Sequence, residues 1–160
     1  MPPVFKKILV PIDFSEHSLR ALDYADVLAR EFNAQLILVH VVERSPYEIY
    51  AAEGFLPDVP QYPAVNGRVL DPDYIRAETQ KQLDRLAAAG RGGPCLTESR
   101  FGYPVDEVLA AVEQYGADLL VICTHGRTGL SHLVMGSVAE KLVRLSPIPV
   151  LSIRAAGLKE

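Results

Sequence analysis

Two kinds of segment take turns along this chain, and their alternation limits the fold more than any other feature. Short apolar runs stand at Ile8-Leu9-Val10-Pro11-Ile12, at Leu36 to Val42 and at Leu119-Leu120-Val121-Ile122-Cys123, and Ile148 to Ile153 reads as one more strand. Runs this short, with no polar alternation, suit strands buried on both faces. Between them apolar residues return every three or four positions, as on one face of a helix. Leu19, Leu22, Ala25, Ala29 and Phe32 form one such stripe, and Ile75, Thr79, Leu83, Leu86 and Ala87 a second. Val105, Val108, Leu109 and Val112 form a third, and Val138, Leu142 and Leu145 a fourth.

The punctuation agrees with that division. Ser15 stands ready to cap the first helix, with acidic Glu16 in its first turn. Asp71-Pro72 reads as a cap followed by an N1 proline, and Gly90 and Gly116 as helix ends. Cys95 to Phe101 alternates only weakly, which suits an edge strand, and Gly102-Tyr103-Pro104 turns the chain into the next helix. Five strands separated by four helices predict a doubly wound α/β domain, with a mostly parallel sheet between two helical layers. A length of 160 residues fits one domain, taken here as 1–160.

One stretch breaks the rhythm. Residues 44–70 hold four prolines, two glycines and three tyrosines, and no period survives there for long. The segment reads as a long surface excursion, with one helical turn near Ile49 to Glu53. Loops of this length in a compact domain are usually functional lids or mobile segments.

Charge and cysteine usage narrow the function classes. Sixteen Lys and Arg against twenty Asp and Glu give a net charge of −4, which argues against a nucleic-acid coat or a polybasic membrane anchor. Near the N-terminus the run Ile8 to Ile12 is far too short for a signal core or a span, and no other stretch approaches a transmembrane length. Cys95 and Cys123 are far apart and form no CxxC pair, so a disulfide framework is not expected and a cytoplasmic setting is.

In open α/β sheets, ligands bind beyond the carboxyl ends of the strands, where the strand order reverses. With the first strand central, the ends carrying Asp13, Val41, and Cys123-Thr124 should converge. Asp13 has two readings of equal weight: a carboxylate for a ribose hydroxyl or hydrated cation, or a local cap beside Ser15. The loop Thr124-His125-Gly126-Arg127-Thr128-Gly129, running on to Gly136-Ser137, is the strongest feature. Its glycines let backbone N–H groups face an anion, and the last helix adds unpaired donors and partial positive charge. A tight loop with ordinary turn glycines is the bland alternative. Neither a Walker A loop nor a GxGxxG fingerprint is present. His17, His40, His125 and His132 lack metal-ligand spacing, and His40 reads as a core or rim histidine. Ser137 has no visible base partner, Cys123 ends a buried strand, and no catalytic or metal-binding residue is assigned.

These residues resemble the universal stress protein family. The likeness rests on Lys7-Ile8-Leu9-Val10-Pro11-Ile12-Asp13-Phe14-Ser15, on Val39-His40-Val41, and on the run from Thr124 through Gly136-Ser137-Val138. Gly126, nine intervening residues, Gly136 and Ser137 match most of the family's nucleotide signature G-x2-G-x9-G-[ST]. The resemblance implies a Rossmann-like adenine-nucleotide-binding fold with strand order 3-2-1-4-5. It implies ATP, with Mg²⁺ as a candidate companion, lying against Pro11, Ile12, Asp13 and Val41. It implies phosphates wrapped by Cys123, Thr124, His125, Gly126, Arg127, Thr128 and Gly129, with Gly136, Ser137 and Val138 completing the cradle. A homodimer through the last strand, Ile148 to Ile153, is also implied, and Pro149 suits an edge strand.

One departure stands out: the signature's first glycine is Cys123 here. Its side chain either crowds the phosphates or points into the sheet at no cost. The expected function is therefore an ATP-binding regulatory protein of the stress response, with slow or no hydrolysis. The alternative is a dimeric interaction module that binds no nucleotide and works through protein partners. An enzyme of this sheet class needs a base, a metal cluster or a further domain, and the chain offers one acid at a strand end with no acidic cluster beside it.

Overall fold

The computed structural model describes residues 5–43, 64–65, 68–69, 72–89, 93–124 and 135–154. In chain order the elements are β1 (Lys7–Pro11), α1 (Glu16–Phe32), β2 (Gln35–Glu43), β3 (Ala64–Val65) and β4 (Arg68–Val69). They continue as α2 (Pro72–Ala88), β5 (Cys95–Gly102), α3 (Pro104–Tyr115), β6 (Leu119–Cys123), α4 (Ser137–Leu145) and β7 (Val150–Ile153). Five strands form one sheet in the order β5-β2-β1-β6-β7, and every pairing in it is parallel. Numbered among themselves, those strands run 3-2-1-4-5, the expected order.

The unbroken apolar runs are explained by burial on both sides. Ile8, Val10, Leu36, Leu38, Leu119 and Val121 face one way, into a core shared with Ala21, Leu22, Ala25 and Ala29 of α1 and Leu83 of α2. Leu9, Ile37, Val39, Leu120 and Ile122 face the other way, against Val108, Ala111 and Val112 of α3 and Ala139 and Leu142 of α4. A period-2 strand filling two cores needs apolar residues at every position. The two central strands are joined at their starts by Asp118, whose carboxylate accepts the Lys6 and Lys7 N–H groups at 2.9 and 3.1 Å.

Three boundaries follow the predicted punctuation. Ser15 caps α1, its Oγ accepting the Ser18 N–H at 3.2 Å. Gly116 closes α3 in the left-handed region at φ +60°. Gly102 ends β5 at φ +149°, a conformation that L side chains rarely adopt, and a Cβ there would also press on the Glu107 side chain at 2.7 Å. The Asp71 cap, the Gly90 helix end and the helical turn near residues 49–53 lie outside the described residues.

The structure corrects four details. The last strand begins at Val150, not Ile148; Pro149 precedes it, and its carbonyl accepts the Leu120 N–H at 3.0 Å. In α4, Val138 and Leu145 point outward, because Ala139 and Leu142 are the residues turned to the sheet. In α1 the inward face is Ser18, Ala21, Leu22, Ala25, Asp26 and Ala29, which leaves Leu19 half-buried and Phe32 at the rim. The excursion holds an antiparallel ladder, Ala64 opposite Val69 and Val65 opposite Arg68. Two-residue strands are too short to show a period. Asn66-Gly67 between them is a strong hairpin signal that a search for periods passes over.

The two edges of the sheet differ. On one face of β5, Thr97 and Ser99 meet Thr79, Gln80 and Asp84 of α2 through hydrogen bonds. Gln80 Oε1 also accepts the outward Ser99 N–H at 2.8 Å, which caps one donor of that edge. On the other face, Arg100 pairs with Glu98 at 3.2 Å and with Glu107 of α3 at 3.0 Å. Tyr115 donates to Glu98 at 3.0 Å. Burial pushes the Tyr115 phenol up, and the bond to Glu98 and its charge push the same way. The β7 edge instead carries an exposed apolar side chain, Leu151, and on the opposite face of the sheet α4 leaves Val143 and Leu145 exposed. Among the described residues, no helix is long and apolar enough to cross a membrane.

Candidate functional site

The neighbours of β1 on either side are β2 and β6, and all three run the same way, so their carboxyl ends share one edge. Asp13 follows β1, Val41 lies near the end of β2, and Cys123 and Thr124 end β6. Adjacent strands stand about 4.8 Å apart, which brings these three places within reach of one small ligand.

The turn after β1 is built from short side chains. Asp13 accepts the Ser15 N–H at 2.9 Å and also the Ser15 hydroxyl. Ser18 Oγ accepts the Asp13 N–H at 3.3 Å and donates to the Ser15 carbonyl at 3.0 Å. Asp13 therefore performs the local duty that the sequence left open to it: it holds the residue that caps α1. Between Asp13 and Ser15, Phe14 takes φ +61°. An aromatic residue in the left-handed region costs on the order of 1 kcal/mol, and its surroundings must hold it there. They do so through His40 on β2, whose ring lies 4.8 Å from the Phe14 ring. The His40 Nδ1 sits 2.7 Å from the Ile12 carbonyl oxygen. A carbonyl has no proton to give, so Nδ1 carries the hydrogen and donates it. His40 is buried, as a core histidine should be, but it also grips both neighbours of Asp13.

The second half of the candidate site starts at β6. The Cys123 thiol donates to the Ile153 carbonyl at 3.2 Å and packs against the α1-side core. Its side chain is thus turned toward β7 and the core. The Thr124 N–H donates to the same Ile153 carbonyl at 3.0 Å. The Gly136 N–H then returns to the Thr124 carbonyl at 2.7 Å. Gly136 is the N-cap of α4 and has no side chain to cap it, so among the described residues the helix opens on backbone donors without a side-chain cap. Ser137 and Val138, the first two residues of α4, are both exposed. Uncapped N–H groups and the helix dipole make such an end receptive to an anion.

Of the residues singled out in the sequence, Pro11, Ile12, Asp13, Val41, Cys123, Thr124, Gly136, Ser137 and Val138 are described, and they belong to this one edge. His125, Gly126, Arg127, Thr128 and Gly129 lie outside the described residues. Among the described residues no group of three His, Cys, Asp or Glu side chains is placed to hold a metal ion. Sequence reasoning missed the double grip of His40. Its one signal was a polar ring inside the apolar run Leu36 to Val42, three residues before β2 ends.

Comparison with known proteins adds the family. Residues 5–154 match the model of the universal stress protein family. The universal stress protein MJ0531 of Methanocaldococcus jannaschii is 32% identical over 153 residues, covering 94% of this chain and 83% of that protein. Among solved structures, MJ0577 of the same organism aligns over 98% of this chain and all of that one, with 23% identity and a TM-score of 0.75. A universal stress protein in complex with cAMP aligns over 96% of this chain and all of that one, with 22% identity and a TM-score of 0.65. These two structures speak for the fold.

Proposed function

The chain belongs to the universal stress protein family, and on that premise we propose that it is an ATP-binding regulatory protein acting as a homodimer. One observation carries the reading. At a single sheet edge, the Asp13 turn faces the same side as the uncapped start of α4, with Val41 on the neighbouring strand. That arrangement suits a nucleotide: a carboxylate for the ribose hydroxyls, a strand backbone for the base and helix N–H groups for the phosphates. The cAMP complex of a protein with this fold points to the same ligand class. Mg²⁺ would enter with the triphosphate, since that ion needs only one or two protein carboxylates beside phosphate oxygens and water.

Binding is favoured over turnover. Hydrolysis needs a base to activate water, and the Asp13 carboxylate already accepts two hydrogen bonds from Ser15. The exposed Leu151 on the β7 edge, at the opposite end of the sheet from the β5 edge where Gln80 caps the Ser99 N–H, supports pairing of two copies through their last strands.

Calorimetric titration of the purified protein with ATP and Mg²⁺ tests the reading. Saturable binding in the micromolar range is expected; affinity weaker than about millimolar would sink it.

A further inference from the structure

We propose that His40 positions the nucleotide site by ending the β1–β2 ladder one step early, which leaves the Val41 N–H free for the base. The inference rests on the nucleotide reading above.

The ladder between β1 and β2 has its last rung at Pro11 and Val39. One bond continues past it, from the Ile12 N–H to the Val39 carbonyl at 2.8 Å. In a parallel pair the next bond would run from the Val41 N–H to the Ile12 carbonyl. Among the described residues that bond is not made, and Ile12 lies outside the strand. The Ile12 carbonyl takes the His40 Nδ1–H instead, at 2.7 Å.

The alternation of β2 fixes which way Val41 points. Leu36 donates its N–H to Pro94 on the β5 side, whereas Val39 receives Ile12 on the β1 side. Odd-numbered residues of β2 therefore turn their backbone groups toward β1, and Val41 is one of them. The rest of β2 stays paired with β5 as far as Glu43 and Gly102. So β2 overhangs β1 with its far side still held, and the overhanging N–H faces the Asp13 turn.

The same imidazole supports Phe14 through its ring face. One side chain thus fixes the residue before Asp13 by a hydrogen bond and the residue after it by packing. A histidine that merely fills the core needs neither bond, and a phenylalanine would replace it.

The test uses two variants of the full chain. His40→Phe keeps an aromatic ring beside Phe14 and removes the donor. His40→Asn loses the ring and keeps an N–H at the position of Nδ1. Each is titrated with Mg-ATP, and amide exchange at Val41 is followed without nucleotide. His40→Phe should weaken ATP by about tenfold or more, and His40→Asn should stay within about threefold of wild type. In His40→Phe the Val41 N–H should swing onto the vacated Ile12 carbonyl and exchange more slowly, by about tenfold. General loosening of the fold would speed exchange there instead. Wild-type ATP affinity in His40→Phe, or unchanged Val41 exchange, overturns the positioning role while leaving the nucleotide reading intact. Failure of the wild-type protein to bind ATP overturns the nucleotide reading itself; a Val41 contrast would then survive as ladder geometry alone.

Discussion

The Gly136 N–H donates to the Thr124 carbonyl at 2.7 Å, so the end of β6 and the start of α4 are fastened to each other. Whatever conformation the chain takes between them, it leaves and returns at the same point. That point lies beside the Asp13 turn, one strand away. The bond also fixes the backbone of Gly136, the N-cap of α4, at that point.

Replacing Gly136 by valine should therefore separate binding from folding. Gly136 has φ −60° and ψ 147°, a conformation any residue adopts, so the backbone needs no glycine for its own sake. A branched side chain would stand where a phosphate must approach. ATP affinity should fall by about tenfold or more, while the thermal midpoint stays within a few degrees. Unaltered affinity in a folded Gly136→Val protein would remove α4 from the site.

Asp13 and Ser15 should divide in the opposite sense. Ser15→Ala removes the α1 cap, a loss of about 1 kcal/mol, and should lower the thermal midpoint by roughly 2–4 °C in a chain of this size. Asp13→Asn keeps an acceptor for the Ser15 N–H and loses only the charge. It should retain most of the stability and lose about tenfold in ATP affinity, because hydrogen bonds to a charged group are the stronger ones. Calorimetry and thermal melts on both variants check the pair; equal affinity in Asp13→Asn would restrict the carboxylate to its local duty.

How much of this was legible in the sequence depends on which force set each feature. Two-sided burial leaves unbroken apolar runs, and Ile8 to Pro11 and Leu119 to Ile122 announced the central strands directly. The polar contacts around β5 left no such trace. Thr97, Ser99, Glu98 and Arg100 find partners on α2 and α3 that are distant in sequence, and no local pattern encodes them. The rotation of α4 was misread for a related reason. Val138, Leu142 and Leu145 make an acceptable stripe, yet small Ala139 lets the helix approach the sheet and turns Val138 out. The site was half legible. Asp13 and Gly136-Ser137 stood out by type and place, whereas the hold of His40 on Ile12 appears only when β2 is laid beside β1.

The raised Tyr115 phenol gives a dependence on alkaline pH. Burial is the main cause, followed by the hydrogen bond to Glu98 and the Glu98 charge. A folded-state value above the ordinary 10.0 means the native protein holds that proton more tightly than the unfolded chain. The stability this contributes is complete below pH 10.0 and is lost as pH rises through the folded value. Glu98→Gln should move the Tyr115 titration down toward the ordinary value without reaching it, since burial remains. Phenolate absorbance, compared with a Tyr115→Phe control, reads the shift; an unmoved titration would remove Glu98 as a cause.

The β7 edge should be an interface between two copies. Leu151→Lys places a charge on an exposed apolar edge, a common way of blocking strand pairing. Sedimentation should show a dimer in the wild type and a monomer in the variant, with the fold intact by circular dichroism. A wild-type monomer, or a dimer indifferent to Leu151→Lys, would exclude pairing through this strand.

The most direct measurement is the map of backbone amide shifts as ATP and Mg²⁺ are added to the labelled protein. The expected result is a saturable set of shifts at Asp13 to Ser15, Val41, Thr124 and Gly136 to Val138, with α2 and the outer edge of β5 still. Shifts that fail to saturate, or that gather away from the ends of β1, β2 and β6, would contradict a nucleotide site at this edge.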